Sequence, residues 1–159
     1  MTIRIYVETS VISYLANRPS RDGLVAARQA LTHDWWVGLD SATVWVSELV
    51  VAEVSRGDLQ AAGNRLRWIE NLPRVEIEPQ AMDLAQRLID EGLVPKTEAE
   101  DAMHIALASV NGFDYLVSWN FAHFVGADPK YRLFSALRDW GLNPVRLVTP
   151  EELMEGLPR

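Results

Sequence analysis

Carboxylate side chains in three separate segments are the residues with the strongest potential for chemistry. Asp101 falls in the first turn of a predicted helix and shares a face with Ile105 and Ala108, four and seven residues on. A carboxylate on such an apolar stripe is costly to bury unless something neutralises it. The helix dipole alone would also favour an acid here. We expect a functional role, because Glu100 is predicted to cap the helix, which leaves Asp101 without a structural one.

Two glutamates elsewhere are candidates of the same kind. Glu53 lies within a predicted helix, where a surface ion pair with Arg56 three residues on would explain it equally well. Glu8 lies between a buried strand and a helix start, and it could simply be a charge that the helix N-terminus favours. Glu48 is in the first turn of its helix, and we expect it to be mainly structural. The position in the sequence therefore does not decide whether Glu8 and Glu53 have a functional or a structural role.

The oxygen ligands that these acids offer indicate a hard divalent cation. The chain has no cysteine, which excludes a thiolate zinc site and a cysteine nucleophile. His104 and His123 do not form the HExxH pattern of a zinc site; His104 could orient a carboxylate, and His123 could pack in a turn or contact substrate. Widely spaced carboxylates without Cys or paired His suit Mg²⁺ or Mn²⁺. Such an ion would polarise a phosphate and activate water for in-line attack.

Composition limits the classes of protein that fit. The 159 residues, 48% hydrophobic and 23% charged, predict a single globular domain over residues 1–159. No apolar run approaches the roughly 20 residues of a membrane helix, and the strand-like N-terminus leaves no room for a signal peptide. We therefore expect a cytoplasmic protein without membrane contacts. The net charge of −7 argues against phosphate contacts, although a nuclease concentrates acids in its cleft and its arginines could line the rim.

Predicted strands and helices alternate along the chain. The strands are predicted at residues 3–7, 43–46, 75–77, 114–118 and 144–148. Helices are predicted at residues 11–17, 24–36, 59–70, 79–91, 97–111 and 131–140, with two more that start after Ser47 and at Thr149. Thr97 and Glu100 are predicted to form a capping box. The alternation predicts an α/β fold, a three-layer α/β/α sandwich with a mainly parallel central sheet.

The carboxyl ends of the predicted strands bring two of the polar segments together. Glu8 directly follows the first strand, and Ser118, Trp119 and Asn120 end the fourth. Ligands of parallel sheets collect at the carboxyl ends of the strands. We therefore expect these two segments to lie on the same rim.

Four segments together resemble the motifs of PIN-domain proteins. In order, they are IYVETSVISYL at residues 5–15, SELVVAEVSRG at 47–57, DAMHIALA at 101–108 and DYLVSWNFAHF at 114–124. The last is similar to the TWN form of a VapC-like branch of toxin ribonucleases. The resemblance covers nearly the whole chain, and four motifs in order are far more specific than any one of them.

The resemblance implies a three-layer α/β/α fold and the activity of a Mg²⁺- or Mn²⁺-dependent endoribonuclease. In many relatives the protein is the toxin of a toxin–antitoxin pair. RNA would be the substrate, the chain would form a homodimer, and a small antitoxin would occupy its groove. By position, Glu8, Glu53, Asp101 and Asn120 would be the metal ligands of the catalytic site, and Ser118 would orient the turn before Asn120.

Two positions depart from the family pattern. Glu8 stands where the usual motif has Asp, so an added methylene displaces the carboxylate. Asn120 stands where many relatives have a further Asp, and its carbonyl can coordinate but carries no charge. These changes predict weaker metal binding, a single ion, or lost catalysis. The alternatives are a catalytically weak or silent PIN-like module that binds RNA or protein, and hydrolysis of another phosphate ester such as DNA.

Overall fold

In the computed structural model the chain forms a parallel sheet flanked by helices. The structure describes residues 2–40, 43–121, 124 and 127–156. The strands are β1 (Ile5–Val7), β2 (Val44–Ser47), β3 (Arg74–Val75), β4 (Tyr115–Val117) and β5 (Arg146–Val148). The helices are α1 (Thr9–Ala16), α2 (Gly23–Val37), α3 (Glu48–Val54), α4 (Leu59–Ile69), α5 (Pro79–Asp90), α6 (Ala99–Val110), α7 (Ala127–Asp139) and α8 (Pro150–Glu155). Among the described residues, no helix is long and apolar enough to span a membrane.

The order of the strands places helices on both faces of the sheet. All neighbouring strands are parallel, in the order β3-β2-β1-β4-β5. The chain runs outward from β1 through β2 to β3, then crosses back over β1 to build β4 and β5. Because crossovers between parallel strands are right-handed, this reversal puts α1–α4 on one face and α5–α7 on the other. The predicted α/β/α sandwich is confirmed.

The central strand explains why a continuous apolar run begins the sequence. Ile5, Tyr6 and Val7 are all buried in β1, because a strand in the middle of a parallel sheet has helices over both faces. Val7 pairs with Val117 of β4, so the residues that follow these two strands leave the sheet at the same level.

The candidate site lies where the strand order reverses. Connections from β1 and β4 leave in opposite directions, which opens a crevice at the carboxyl ends of these strands. The backbone N–H of Glu8 donates to the carbonyl of Val117 at 3.0 Å, and the N–H of Ser118 donates to that of Val148 at 3.0 Å. Both residues are thus fixed by the sheet ladder at the edge of the crevice.

The start of α6 differs from the sequence prediction. A 3-10 turn at Lys96–Glu98 leads directly into α6, and the N-cap residue Glu98 makes no capping bond through its side chain. Thr97 lies inside this turn, and Glu100 pairs with Arg56 instead. The predicted capping box is therefore wrong, because the turn removes the extended residue whose side chain would reach the first free N–H groups.

Helices α1 and α7 begin earlier than the sequence predicts. Helix α1 begins at Thr9 rather than at residue 11, because Glu8 is its N-cap. Helix α7 begins at Ala127 rather than at residue 131.

A capping box is present at α8 instead. Thr149 Oγ1 accepts from the N–H of Glu152 at 3.1 Å, and the Glu152 carboxylate accepts from the N–H of Thr149 at 3.3 Å. We expect Thr149→Ala to lower the free energy of unfolding by about 1 kcal/mol, because it leaves a helix N–H unpaired. Thr97→Ala is the matched control and should change it by less than about 0.5 kcal/mol. Urea denaturation measures both, and equal losses would contradict this assignment of the caps.

Candidate active site

Glu8 is a buried carboxylate at the end of the central strand, only 6% exposed. As the N-cap of α1, it accepts from the N–H of Ser10 through Oε2, at 3.1 Å. The same oxygen accepts from the hydroxyls of Ser10 at 2.5 Å and Ser118 at 2.6 Å. An unpaired buried carboxylate would be strongly destabilising. These three charge-assisted hydrogen bonds allow the acid to lie at this position.

The two serines that hold Glu8 also fix the turn after β4. Ser10 Oγ accepts from the N–H of Trp119 at 2.9 Å, and Ser118 Oγ accepts from the N–H of Asn120 at 2.9 Å. Each hydroxyl thus donates to the carboxylate and accepts from the turn. Ser118 thereby contacts the backbone of Asn120 in this turn. Ser10 was not predicted as a site residue, although its place two residues after an N-cap acid could have indicated it.

Trp119 anchors the same turn to α2. Its indole N–H donates to Thr32 Oγ1 at 3.0 Å, and the guanidinium of Arg28 lies over its ring at 5.1 Å from the centroid. Tyr14 of α1 packs edge-on against it. The backbone before Asn120 is therefore held from both helices as well as from the strand.

Glu53 lies near the end of α3 with its side chain 12% exposed. Its Oε1 accepts from the Thr9 hydroxyl at 2.7 Å and from His104 Nε2 at 2.6 Å. Thr9 is the residue between Glu8 and Ser10, so one short segment at the start of α1 contacts both glutamates. His104 was expected to orient a carboxylate, and the carboxylate that it contacts is Glu53.

A chain of buried hydrogen bonds continues from His104 into the core. His104 Nδ1 lies 2.6 Å from the Tyr6 hydroxyl, which lies 2.8 Å from Ser47 Oγ. Ser47 Oγ also accepts from the N–H of Val50 as the N-cap of α3. With a neutral imidazole, Nε2 carries the proton that the Glu53 carboxylate accepts, and Nδ1 accepts from Tyr6. Ser47 then donates to Tyr6, and every donor and acceptor in the chain is matched.

The surroundings of Glu53 keep it ionised. Burial by itself raises the pKa of this carboxyl, but the hydrogen bonds that His104 and Thr9 donate to it outweigh burial and lower the pKa to about 2. Glu53 therefore carries its charge throughout the neutral range.

Tyr6 is affected in the opposite direction. Burial raises the pKa of its hydroxyl well above the usual value, and the charges of Glu8 and Glu53 raise it further, against a hydrogen bond from Ser47 that lowers it. Tyr6 therefore remains a neutral donor. Both glutamates lie within electrostatic reach of this one hydroxyl.

Asp101 lies in the first turn of α6 and is half-buried. It precedes His104 by three residues, so the two side chains leave the helix on the same side. The sequence argument for Asp101 assumed that Glu100 caps the helix, and that premise is wrong because Glu100 pairs with Arg56. Its place one turn before His104 now supports its candidacy instead.

The expected cluster of three carboxylates is not preformed. In the part of the chain that the structure describes, no three Asp, Glu or His side chains are grouped closely enough to hold a metal ion. Glu8 directs Oε2 toward the serine hydroxyls, and Glu53 directs Oε1 toward the imidazole and the threonine. Asn120 is exposed beyond the turn, and His123 lies outside the described residues. The structure thus pairs the carboxylates with separate donors.

The sequence of this site matches a known family model. The model of the PIN domain matches residues 5–120, a span that contains Glu8, Glu53, Asp101 and Asn120. The chain belongs to the PIN domain family. A comparison with curated proteins found no match.

Solved structures share the PIN fold at low sequence identity. VapC20 of Mycobacterium tuberculosis, described as a sarcin-ricin loop cleaving toxin, is 17% identical, with a TM-score of 0.58 over 78% of this chain and 97% of that one. FitAcB from Neisseria gonorrhoeae is 15% identical, with a TM-score of 0.58 over 93% and 99%. VapBC2 from Rickettsia felis, bound to a promoter DNA fragment, is 14% identical, with a TM-score of 0.53 over 92% and 98%. At these identities the likeness shows the fold alone.

The pKa of Glu53 predicts a specific loss of stability in acid. Because its folded-state pKa of about 2 is below the ordinary 4.5, folding favours the charged form, and this contribution is complete above about pH 4.5 and disappears as the pH falls toward 2. The gap in unfolding free energy between wild type and Glu53→Gln should shrink by on the order of 2 kcal/mol across this window. Urea titrations at each pH measure the gap. Glu70→Gln, at an exposed glutamate, is the control, and a constant gap for Glu53→Gln would contradict the assignment.

Removing the Tyr6 hydroxyl tests the buried chain of hydrogen bonds. Tyr6→Phe keeps the ring contact with Phe113 but leaves Ser47 Oγ–H and His104 Nδ1 without a partner in the core. We expect a loss of about 2 kcal/mol in unfolding free energy, together with a changed tautomer population of His104 measured by ¹⁵N NMR. Tyr131→Phe, at a tyrosine that is 65% exposed, should have neither effect. An unaltered imidazole signal in Tyr6→Phe would rule out the assigned direction of the bonds.

Proposed function

We propose that this PIN domain is a Mg²⁺- or Mn²⁺-dependent endoribonuclease and the toxin of a type II toxin–antitoxin pair. The observation that carries the proposal is the segment at residues 8–10, which contacts both glutamates proposed to bind metal. Glu8 is fixed at the end of β1 by the serines, and Thr9 bonds Glu53. The segment lies at the sheet edge where ligands of parallel sheets bind.

The oxygen ligands available at this edge of the sheet suit a hard divalent cation. Glu53 is ionised at neutral pH because its pKa is about 2. Every hydrogen bond that the described residues make to the Glu8 carboxylate goes to Oε2, which leaves Oε1 as the oxygen to coordinate. Mg²⁺ commonly binds through one or two carboxylates and keeps several waters. Glu8, Glu53 and Asp101 would hold the ion, with the carbonyl of Asn120 as a neutral ligand.

The protein's own residues would position the reacting groups. A bound divalent ion would supply polarisation of the phosphate and an activated water. His104 and Thr9 keep Glu53 charged and in one orientation. Ser118 holds the turn that presents Asn120. Because Asn120 brings no charge, the site favours a single ion and weaker metal binding than a site with a further Asp.

Membership in the PIN family and the resemblance to VapC-like proteins support the substrate and the partners. VapC20, which shares the fold, is described as a toxin that cleaves the sarcin-ricin loop. We infer that RNA is the substrate here, that a small antitoxin occupies the groove, and that the chain acts as a single domain in a cytoplasmic homodimer.

A catalytically silent PIN-like binding module is the second candidate. It is favoured by the absence of a preformed acidic cluster among the described residues. Titration calorimetry with Mn²⁺ separates the two, since a nuclease should give a binding heat that is lost in Glu8→Gln and Asp101→Ala. A silent module should give no such heat in any of the three proteins.

Cleavage of RNA tests the leading proposal directly. We expect the purified protein to cut single-stranded or structured RNA with Mg²⁺ or Mn²⁺ and not in EDTA. Asp101→Ala should lower the rate by about a hundredfold or more, because the loss of a direct ligand should exceed the effect of losing its supporting residues. Asp139→Asn, which removes an exposed acid of α7, should leave the rate unchanged. Metal-dependent cleavage at the wild-type rate in Asp101→Ala would overturn the assignment.

A further inference from the structure

Helices α3 and α6 are joined at two levels beside the candidate site. The inner contact is the 2.6 Å bond between Glu53 and His104. The outer contact is the ion pair between Arg56 and Glu100, 2.9 Å from guanidinium nitrogen to carboxylate oxygen. Arg56 follows Glu53 by three residues, just beyond the C-cap of α3, and Glu100 precedes His104 by four residues, about one turn of α6. The Arg56 side chain, 61% exposed, is therefore on the solvent side of Glu53, whose side chain is 12% exposed.

Arg56 combines a fixed backbone with an exposed side chain. Its carbonyl accepts from Arg65 at 2.7 Å, and Arg65 also donates to the carbonyl of Val54 at 2.9 Å. The next residue, Gly57, turns the chain away with a φ of +83°. The guanidinium of Arg56 is 61% exposed and the carboxylate of Glu100 is 51% exposed. Such exposed pairs contribute little to folding, so the guanidinium can exchange Glu100 for another anion.

Because the protein has a net negative charge, the positive charge of Arg56 beside the candidate site matters for the binding of RNA. The net charge is −7, and binding of a polyanion requires cationic contacts. The backbone N–H of Arg56 donates to the carbonyl of Glu53 at 3.2 Å, so Arg56 is adjacent to a residue proposed to hold the metal. The planar guanidinium binds a phosphate through two parallel hydrogen bonds.

Three other arginines of the described structure are engaged in packing or in holding the backbone. Arg4 lies over the rings of Trp45 and Phe113, and Arg87 lies over Trp140. Arg65 donates to the backbone carbonyls at the end of α3. Arg28 lies over Trp119 beside the turn that carries Asn120, so it is a second candidate for a contact with RNA.

We propose that Arg56 contacts a phosphate of the bound RNA next to the metal site, and that Glu100 is the counter-ion that occupies Arg56 in the free protein. The inference rests on the proposed function and names the residue that recognises the substrate backbone. Binding requires the guanidinium to leave Glu100, so Glu100 competes with RNA. Removing the charge of Glu100 should therefore strengthen binding, whereas removing Arg56 should weaken it.

The experiment measures binding and cleavage separately. Binding of a fluorescein-labelled single-stranded RNA of mixed sequence is followed by anisotropy in EDTA, and KM and kcat are measured with Mn²⁺. Arg56→Ala should raise Kd and KM about tenfold with little change in kcat, and it should reduce the slope of log K against log salt by about 0.7. Arg56→Lys should fall between it and wild type, and Glu100→Gln should lower Kd about threefold.

The exposed pair of Arg138 and Asp139 in α7 supplies matched controls. Their side chains are 59% and 68% exposed, so Arg138→Ala and Asp139→Asn make the same charge changes far along the chain, and neither should change Kd. Equal effects at the two pairs would mean that only the net charge matters, and this would overturn the inference. A Kd that is unchanged in Arg56→Ala would overturn it too. So would a loss of RNA binding that occurs only in Arg28→Ala. Weakening in both Arg56→Ala and Glu100→Gln, with lowered thermal midpoints, would show a structural contact instead. RNA binding with the predicted responses but no cleavage would contradict the proposed nuclease activity alone.

Discussion

The buried carboxylate of Glu8 is the constraint on which the site depends. Ionised groups are costly to bury without partners, and the partners of this one come from both sides of the β1–β4 crevice. Ser10 belongs to α1 and Ser118 follows β4, and both hydroxyls donate to the same oxygen. The Glu8 carboxylate therefore links the ends of β1 and β4 through its hydrogen bonds with Ser10 and Ser118. Since the same serines accept from the turn that carries Asn120, this carboxylate also sets the shape of the rim.

A second carboxylate is fixed by the core itself. The chain from Glu53 through His104 and Tyr6 to Ser47 crosses from the rim into the most buried layer of the fold. His104, Tyr6 and Ser47 are each at most 1% exposed, so water does not compete for the hydrogen bonds between them. In the core, a chain of hydrogen bonds in which every donor has an acceptor fixes the side chains in one orientation. Breaking one of these hydrogen bonds is strongly destabilising. The orientation of Glu53 is thereby tied to the packing of β1, β2 and α6.

The sequence predicted the fold and the rim better than the directions of the side chains. Alternating strands and helices led to the parallel sandwich, and Glu8 and Ser118 could be placed on one rim because they follow strands. The cap at Thr97 was predicted wrongly, since local pattern does not reveal that a 3-10 turn precedes α6. Tyr6 was read only as a strand residue. Its role in holding His104 depends on the register of separate strands and a distant helix, which no local pattern contains.

The separation of the carboxylates has an electrostatic reason. Three anionic groups brought together without a cation repel one another, and in the protein alone Glu8 and Glu53 each turn to their own donors. The proposed nuclease would then have to exchange partners at two places, when a cation draws Glu8, Glu53 and Asp101 together and when a phosphate replaces Glu100 on Arg56. The phosphate adds negative charge where the cation has just been bound, and the cation offsets the charge that the phosphate brings. Each event would therefore make the other less costly, and the proposed site would gain affinity for RNA where the metal and Arg56 adjoin.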